Sequence, residues 1–474
     1  MQKLNEICFC ESKANSETEF VGIRSEKSKE GGVLETSIIF PLGYFKGDTA
    51  LRELPEEELR ECVVNLFTVL SDPSLQEQIH QDSSISTFAE EHGESEFPMV
   101  SYLNVIRNFL DFGYLDEKEI LYKKGANGKI NWGRTIKAVR PVITENEQNL
   151  VYLDFIARKV SYNEDTLITQ VHKFCVHDAL VKLGFLFGIE PSEEPLLDFD
   201  YDLFCNAIHS KLAKTFNDRD LRLLADLARI VEYLAGHRTE DGKIANDFYF
   251  GVNKFAPVWE TMVDKIFGKL PQGVTKDKFN PHCEWDLNSR KPGYENPNYA
   301  MRPDTIMWDE EGNRLYVLDA KYYKFGMTGS AADLPSSGSI CKQIAYAEYV
   351  ETHWKTILGV DSIATPSASP QNDTLPKPIY NAFLLPYCFD ADNSQLPPDD
   401  GFETRPCKMR FIGLCHGNWK NLDARPGEDD YRHYHRIAGV LLDVRSVMEN
   451  YAASGKIQKT LATCILREIA SLSG

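Results

Sequence analysis

Nothing in these 474 residues approaches the roughly 18 consecutive apolar residues that a membrane-spanning helix needs. The opening MQKLNEICFC lacks a basic start followed by a long apolar stretch. A chain neither inserted in a membrane nor exported is expected, with the cytoplasm as its place. Cysteine is present but never as CxxC: eleven are scattered from Cys8 to Cys464, an odd set that indicates neither a disulfide framework nor a zinc module. Positive charge is scarce. Lys and Arg number 52 against 71 Asp and Glu, a formal net charge of −19, which excludes a protein whose whole surface coats nucleic acid or membrane. Any phosphate contact must be local. A P-loop is missing as well, because Gly236 to Lys243 has the wrong spacing for GxxxxGK[ST] and is followed by Ile244. The chain cannot be its own P-loop motor.

What is present is globular material, 42% hydrophobic and 11% aromatic, in a length that suits two or three domains. No repeat recurs at a fixed period. Charge is unevenly spread: thirteen acids lie between Asp48 and Glu96 against Arg52 and Arg60. The helical periodicity of ELPEEELRECVVNLFTVL makes that acidity the solvated outside of a helix. Val33 to Phe45 reads as a strand ending at a Pro-Gly turn, and YLNVIRNFLDFGYL as a helix stopped by Gly113. The glycines of KKGANGKINWGRTIKAVRP suggest an exposed loop or β-turn. Helical patterns over Asn163 to Gly188 and Arg219 to Gly236 form a helical middle layer. Beyond Gly251 a helix, short strands, a Gly/Ser-rich loop, another helix, a Pro-rich loop and the strand NAFLLPYCF follow. The expected class is α/β, mixed α+β overall: an N-terminal α/β accessory domain over 1–160, a helical region over 161–245, and a domain with a mixed sheet flanked by helices over 246–474.

RPDTIMWDEEGNRLYVLDAKYYKFG, Arg302 to Gly326, is the most specific feature and reads as a β-hairpin. With a four-residue loop, Glu310 to Asn313, Asp309 pairs with Arg314 and Asp304 falls opposite Asp319. A five-residue loop without a bulge would put the two acids on opposite faces. Lys321 shares the face of Asp319. Two carboxylates and a lysine at one spot are costly unless a cation compensates them, and Mg²⁺, which takes one or two carboxylates and keeps waters for a phosphate, suits the pair. The lysine could then orient or deprotonate an attacking water. Asp319 and Lys321 follow LYVL, a run fit for a buried strand where unpaired charge is expensive. Glu260 is a lone acid in the mostly apolar helix KFAPVWETMVDKIFG, and ICKQIAYAEYV presents Gln343, Tyr346 and Tyr349. Other candidates fail on spacing. His177-Asp178 has no identifiable partners for a metal phosphohydrolase site, and Asp198, Asp200 and Asp202 lack the Gly and Glu of a calcium loop.

A helix with Glu260, then RPD, then DAK on the next strand, then a helix with Gln343: this order resembles the PD-(D/E)xK nuclease superfamily. More narrowly the chain is similar to the LlaJI-type restriction endonucleases, which are McrC-like. FPLGY (Phe40 to Tyr44), GKINWGRTI (Gly128 to Ile136), DTLITQVHKFCV (Asp165 to Val176) and NAFLLPY (Asn381 to Tyr387) extend the likeness. The resemblance implies a restriction-endonuclease-like C-terminal domain, Asp304, Asp319 and Glu260 as catalytic acids and metal ligands, Lys321 as the water-positioning residue, and Gln343 as a substrate-side contact. It implies an Mg²⁺-dependent DNA endonuclease of a bacterial restriction system, Mn²⁺ being able to substitute. The implied partners are double-stranded DNA, an AAA+ GTPase or ATPase subunit and a cognate DNA methyltransferase. The alternative is a McrC-like regulatory subunit that docks on and stimulates that motor, with cleavage dependent on it. A binding protein with a dead nuclease fold would lack one of Asp304, Asp319 or Lys321, and none is missing.

One basic segment stands apart. Tyr122 to Arg140 holds Lys123, Lys124, Lys129, Arg134, Lys137 and Arg140 with no acid. Three readings stay open: a solvated hairpin, a phosphate-binding surface in which Lys129 and Arg134 meet DNA, or a finger with Trp132 as apolar anchor that docks on a motor.

Overall fold

The computed structural model describes residues 3–11, 20–27, 34–72, 96–115, 117–125, 128–143, 150–163, 166–191, 194–238, 245–282, 301–311, 313–358, 378–389, 408–421 and 432–451. The chain forms two compact units, one of residues 2–93 with 247–474 and one of residues 94–246. This grouping differs from three consecutive stretches, because the N-terminal strands share a sheet with a strand from beyond residue 246. The architecture is mixed α+β. Among the described residues no helix is long and apolar enough to cross a membrane.

In the larger unit, the strands Cys8–Cys10, Leu34–Phe40, Val21–Lys27 and Phe248–Val252 make one sheet in that order. Its period-2 pattern buries Ile23, Ile38, Phe40, Phe248, Phe250 and Val252. Gly22 and Gly251 face each other in register, and a Cβ on either would lie 2.2 Å from a backbone oxygen, so the strands meet only because both are glycine. The helix Glu56–Leu70 buries Leu59, Cys62, Val63, Leu66 and Phe67 and places Glu56, Glu57 and Glu58 in its first turn, where the helix dipole favours acids.

The second sheet of this unit is mixed, with the strand order Thr305–Asp309, Arg314–Ala320, Ile379–Tyr387, Ile437–Asp443, Met409–Cys415. Its two central pairings are parallel and its two edge pairings antiparallel. The near-continuous burial of LYVLDA and of IYNAFLLPY is what a sheet covered on both faces requires. Ile306, Leu315, Val317 and Ile379 pack with Tyr346, Ala347, Val350, Trp354 and Ile357 of the helix Ser337–Leu358. The helix Ala256–Phe267 buries Val258, Trp259, Met262, Val263, Ile266 and Phe267, and the Trp259 indole N–H reaches the Leu384 carbonyl at 3.4 Å.

The smaller unit packs the helices Met99–Phe112, Leu167–Leu183, Tyr201–Leu212 and Asp218–Gly236 together. Gly113, at φ 75, ends the first of them. The basic segment departs from the expected loop. After Lys129–Ile130, residues Trp132–Ala138 form a helix, because the Asn131 side chain accepts from the Arg134 N–H at 3.1 Å and caps its start. Strands Glu117–Lys124, Ile156–Asn163 and Lys129–Ile130 pair into a small sheet beside it.

Candidate active site

The hairpin register decides the site. Asp309 pairs with Arg314 and Thr305 with Leu318, the four-residue-loop register, so Asp304 enters the first strand opposite Asp319. Asn313, at φ 47, supplies the left-handed residue of the turn. Asp304 Oδ2 accepts the Ala320 N–H at 2.9 Å. The Lys321 ammonium lies 3.4 Å from Asp304 Oδ2 and 2.7 Å from Asp319 Oδ2. Asp319 is 5% exposed. Burial, and after it the neighbouring Asp319 charge, pushes the Asp304 carboxyl up to about 7 against the pull of Lys321. For Lys321 burial works the other way, but Asp304 and Asp319 outweigh it and hold the ammonium above its usual range, with Glu260 adding to them.

Two carboxylates against one ammonium leave an excess negative charge in a poorly hydrated spot. That donor set, hard oxygens in close pairing, fits a divalent cation of the Mg²⁺ type. Glu260 makes itself felt at Lys321, yet among the described residues no three His, Cys, Asp or Glu side chains are gathered to hold a metal ion. The structure therefore offers a pair of ligands, not a trio.

Gln343 is placed differently from an accessible contact. It is fully buried; its amide donates to the Val317 carbonyl at 2.7 Å, and Asn381 donates to the Gln343 main-chain carbonyl at 3.1 Å and to that of Tyr434 at 3.0 Å. Gln343 braces its helix against the strand that carries Asp319. Lys129 and Arg134 belong to the other unit. There the Arg134 guanidinium stacks over the Tyr122 ring at 4.0 Å, and Trp132, which is 52% exposed, meets Phe155 edge-on.

Two supports escape sequence reasoning. The Lys276 ammonium donates to the Asp304 carbonyl oxygen and to Asp264 at 2.8 Å. The Tyr346 hydroxyl donates to the Arg302 carbonyl at 3.1 Å, and its phenol is pushed up to about 12 by burial and then by the Asp319 and Asp304 charges. Together they hold the backbone on either side of Pro303. No spacing rule links Lys276 to Asp304, so the sequence carried no signal for it. Asp178 accepts from Tyr102 at 2.7 Å and pairs with Lys182, and Asp200 caps a helix by accepting the Leu203 N–H at 3.0 Å. Both acids are structural.

The family model described as LlaJI restriction endonuclease matches residues 48–394. The type II restriction enzyme BsuMI component YdjA of Bacillus subtilis (strain 168) is 24% identical over 251 residues, covering 50% of this chain and 51% of that protein. The chain thus spans about half the length of the curated relative it matches. A solved structure, a refined half-complex from a tetradecameric assembly of Thermococcus gammatolerans McrB AAA+ hexamers with bound McrC, aligns at 13% identity over 94% of this chain and 83% of that one, with a TM-score of 0.33. That likeness is too loose to bear on function.

Proposed function

This chain belongs to the LlaJI restriction endonuclease family, and from that premise we propose that it is an Mg²⁺-dependent DNA endonuclease acting on double-stranded DNA in a bacterial restriction system. The observation that carries the reading is the pair Asp304 and Asp319, brought together at the end of one hairpin with Lys321 between them. Asp304 and Asp319 are the residues that would hold the cation, which when bound supplies charge stabilisation at the scissile phosphate. The Ala320 N–H fixes the Asp304 carboxylate and the Lys276 ammonium fixes the Asp304 main-chain carbonyl. Lys321, whose ammonium reaches both carboxylates, positions the attacking water. Glu260 tunes the field at Lys321 and stands outside the ligand pair. The reading is tested by incubating the full chain with plasmid DNA in Mg²⁺, in Mn²⁺ and in EDTA: cleavage with either cation and none in EDTA is expected, and equal cleavage by the Asp319→Ala protein would refute the site.

A second reading has its own observation. The exposed helix Trp132–Ala138 combines Trp132, Ile136, Arg134 and Lys137 at the surface, a mixture suited to docking as much as to phosphate. In that reading the chain is a McrC-like subunit that stimulates an AAA+ GTPase, cleaves with it, and acts beside a cognate methyltransferase. GTP hydrolysis by the AAA+ motor, measured with and without this chain, separates the two.

A further inference from the structure

FPLGY has no part in the chemistry above, yet the fold carries it to the catalytic lysine. The rings of Phe40, Tyr44 and Phe45 pack on one another at 4.9 to 5.0 Å between centroids. Gly43, at φ +83, passes so close to Tyr387 and Val444 that a Cβ would lie 3.1 Å from each. The loop is thereby fixed in place, and the Leu42 N–H is aimed at two acceptors, the Tyr322 hydroxyl at 2.5 Å and Glu11 Oε2 at 3.0 Å. The Tyr322 hydroxyl itself donates to Glu11 Oε2 at 2.6 Å. Its ring packs 5.4 Å from Phe255, the residue that opens the Glu260 helix. Tyr322 follows Lys321 directly, at the point where the Arg314–Ala320 strand has ended and the bond from the Lys321 N–H to the Leu384 carbonyl, 2.9 Å, ties the lysine backbone to the sheet.

The geometry points to Glu11 and Tyr322 as positioning residues for Lys321: a Glu11–Tyr322–Leu42 tether holds the backbone that aims the ammonium between Asp304 and Asp319. The part of this that concerns cleavage rests on the nuclease reading; the tether itself does not. Lys321 has a four-carbon stem, and a lysine free at its backbone would spread over several rotamers instead of holding one geometry. A misplacement of about 1 Å at a reacting group can cost on the order of 10²-fold in rate.

Two readouts test it, on full-length Tyr322→Phe, Glu11→Ala and Glu11→Gln proteins. The first is acetylation of Lys321 by acetic anhydride, read by peptide mass spectrometry against exposed Lys342. Tyr322→Phe and Glu11→Ala should raise labelling of Lys321 relative to Lys342, and Glu11→Gln, which keeps an acceptor oxygen, should restore part of the protection. Unchanged labelling in Tyr322→Phe and Glu11→Ala would overturn the tether whatever the protein cleaves. The second is plasmid cleavage, in which Tyr322→Phe should lower kcat by roughly tenfold or more with KM unchanged, and the double variant with Glu11→Ala should be no worse than the single. A fall that merely follows the folded fraction seen by circular dichroism would overturn the positioning role. If the unaltered protein cleaves nothing under any condition, the nuclease reading fails while the labelling still decides the tether.

Discussion

Each unit of this protein buries an aspartate against a lysine near a tyrosine, and the two clusters behave in opposite ways. In the smaller unit Asp178 takes the Lys182 ammonium and the Tyr102 hydroxyl; one negative charge meets one positive, and the Lys182 side chain is 1% exposed. In the larger unit Asp304 and Asp319 share the single Lys321 ammonium, whose side chain is 22% exposed. The first arrangement is balanced and closed; nothing remains for it to bind. The second is over-negative and reachable. Charge balance and access, more than residue type, separate a structural ion pair from a site.

The largest expected effect tests the open cluster. Asp319→Ala should lower cleavage by at least roughly 10²–10³-fold while the protein without divalent cations melts no lower than the unaltered one, since the change relieves crowded charge. A clear drop in melting temperature would make the cluster structural after all. The closed cluster should respond the other way: Lys182→Ala leaves a buried carboxylate without its ion and should cost about 3–5 kcal/mol in stability by denaturant titration, with kcat per folded molecule unaltered. Tyr102→Phe, removing one hydrogen bond to the same carboxylate, should cost about 1–3 kcal/mol.

The units should also differ in the sign of their pH response. Asp304 is held at about 7 when folded against a carboxylate's ordinary value near 4, so folding favours its protonated form. Its penalty is fully present above about pH 7 and is relieved as pH falls toward 4. His172 is buried, with Nδ1 accepting the Leu115 N–H at 3.0 Å, and burial lowers it to about 4. The unfolded chain then binds more protons, and stability is lost as pH falls from about 6.5 to 4. Each contributes at most about 1.4 kcal/mol per pH unit. In EDTA, Asp304→Asn should therefore steepen the loss of stability on acidification between pH 7 and 4; an unchanged profile would contradict the Asp304 environment. The smallest effect concerns the basic segment. Lys129→Ala with Arg134→Ala should reduce the salt slope of DNA binding by roughly one unit per lost phosphate contact, and an unchanged slope with lost GTPase stimulation would favour the docking reading.

The hairpin was legible because a strand's side chains alternate and the length of a turn sets the register, which left two loop lengths open; the pairing of Asp309 with Arg314 selects the four-residue loop, and Asp304 opposite Asp319 follows from that. The burial of Val258, Trp259, Met262, Val263, Ile266 and Phe267 around Glu260 was legible from periodicity. The short helix at Trp132–Ala138 was not, since Gly133 argues against a helix and the Asn131 cap, with the buried Thr135 hydroxyl held by the Ile156 N–H, overrides it. Gln343 is where residue type misled, because its amide has the chemistry of a substrate contact but the packing of its helix turns it into the sheet.

The sequence by itself determined the local periods: that Arg302 to Gly326 folds as a hairpin, which faces of the helices are apolar, and that Lys321 shares the face of Asp319. Only the tertiary structure decided what surrounds them. That Lys276 clamps Asp304, that Glu11 and Leu42 hold Tyr322, and that the strand Phe248–Val252 completes the N-terminal sheet are contacts between segments 28 to 311 residues apart. No local repeat encodes such separations; they form because burying the apolar faces of both sheets leaves few ways to fold the chain back on itself, and the polar groups carried along must then find partners where they land.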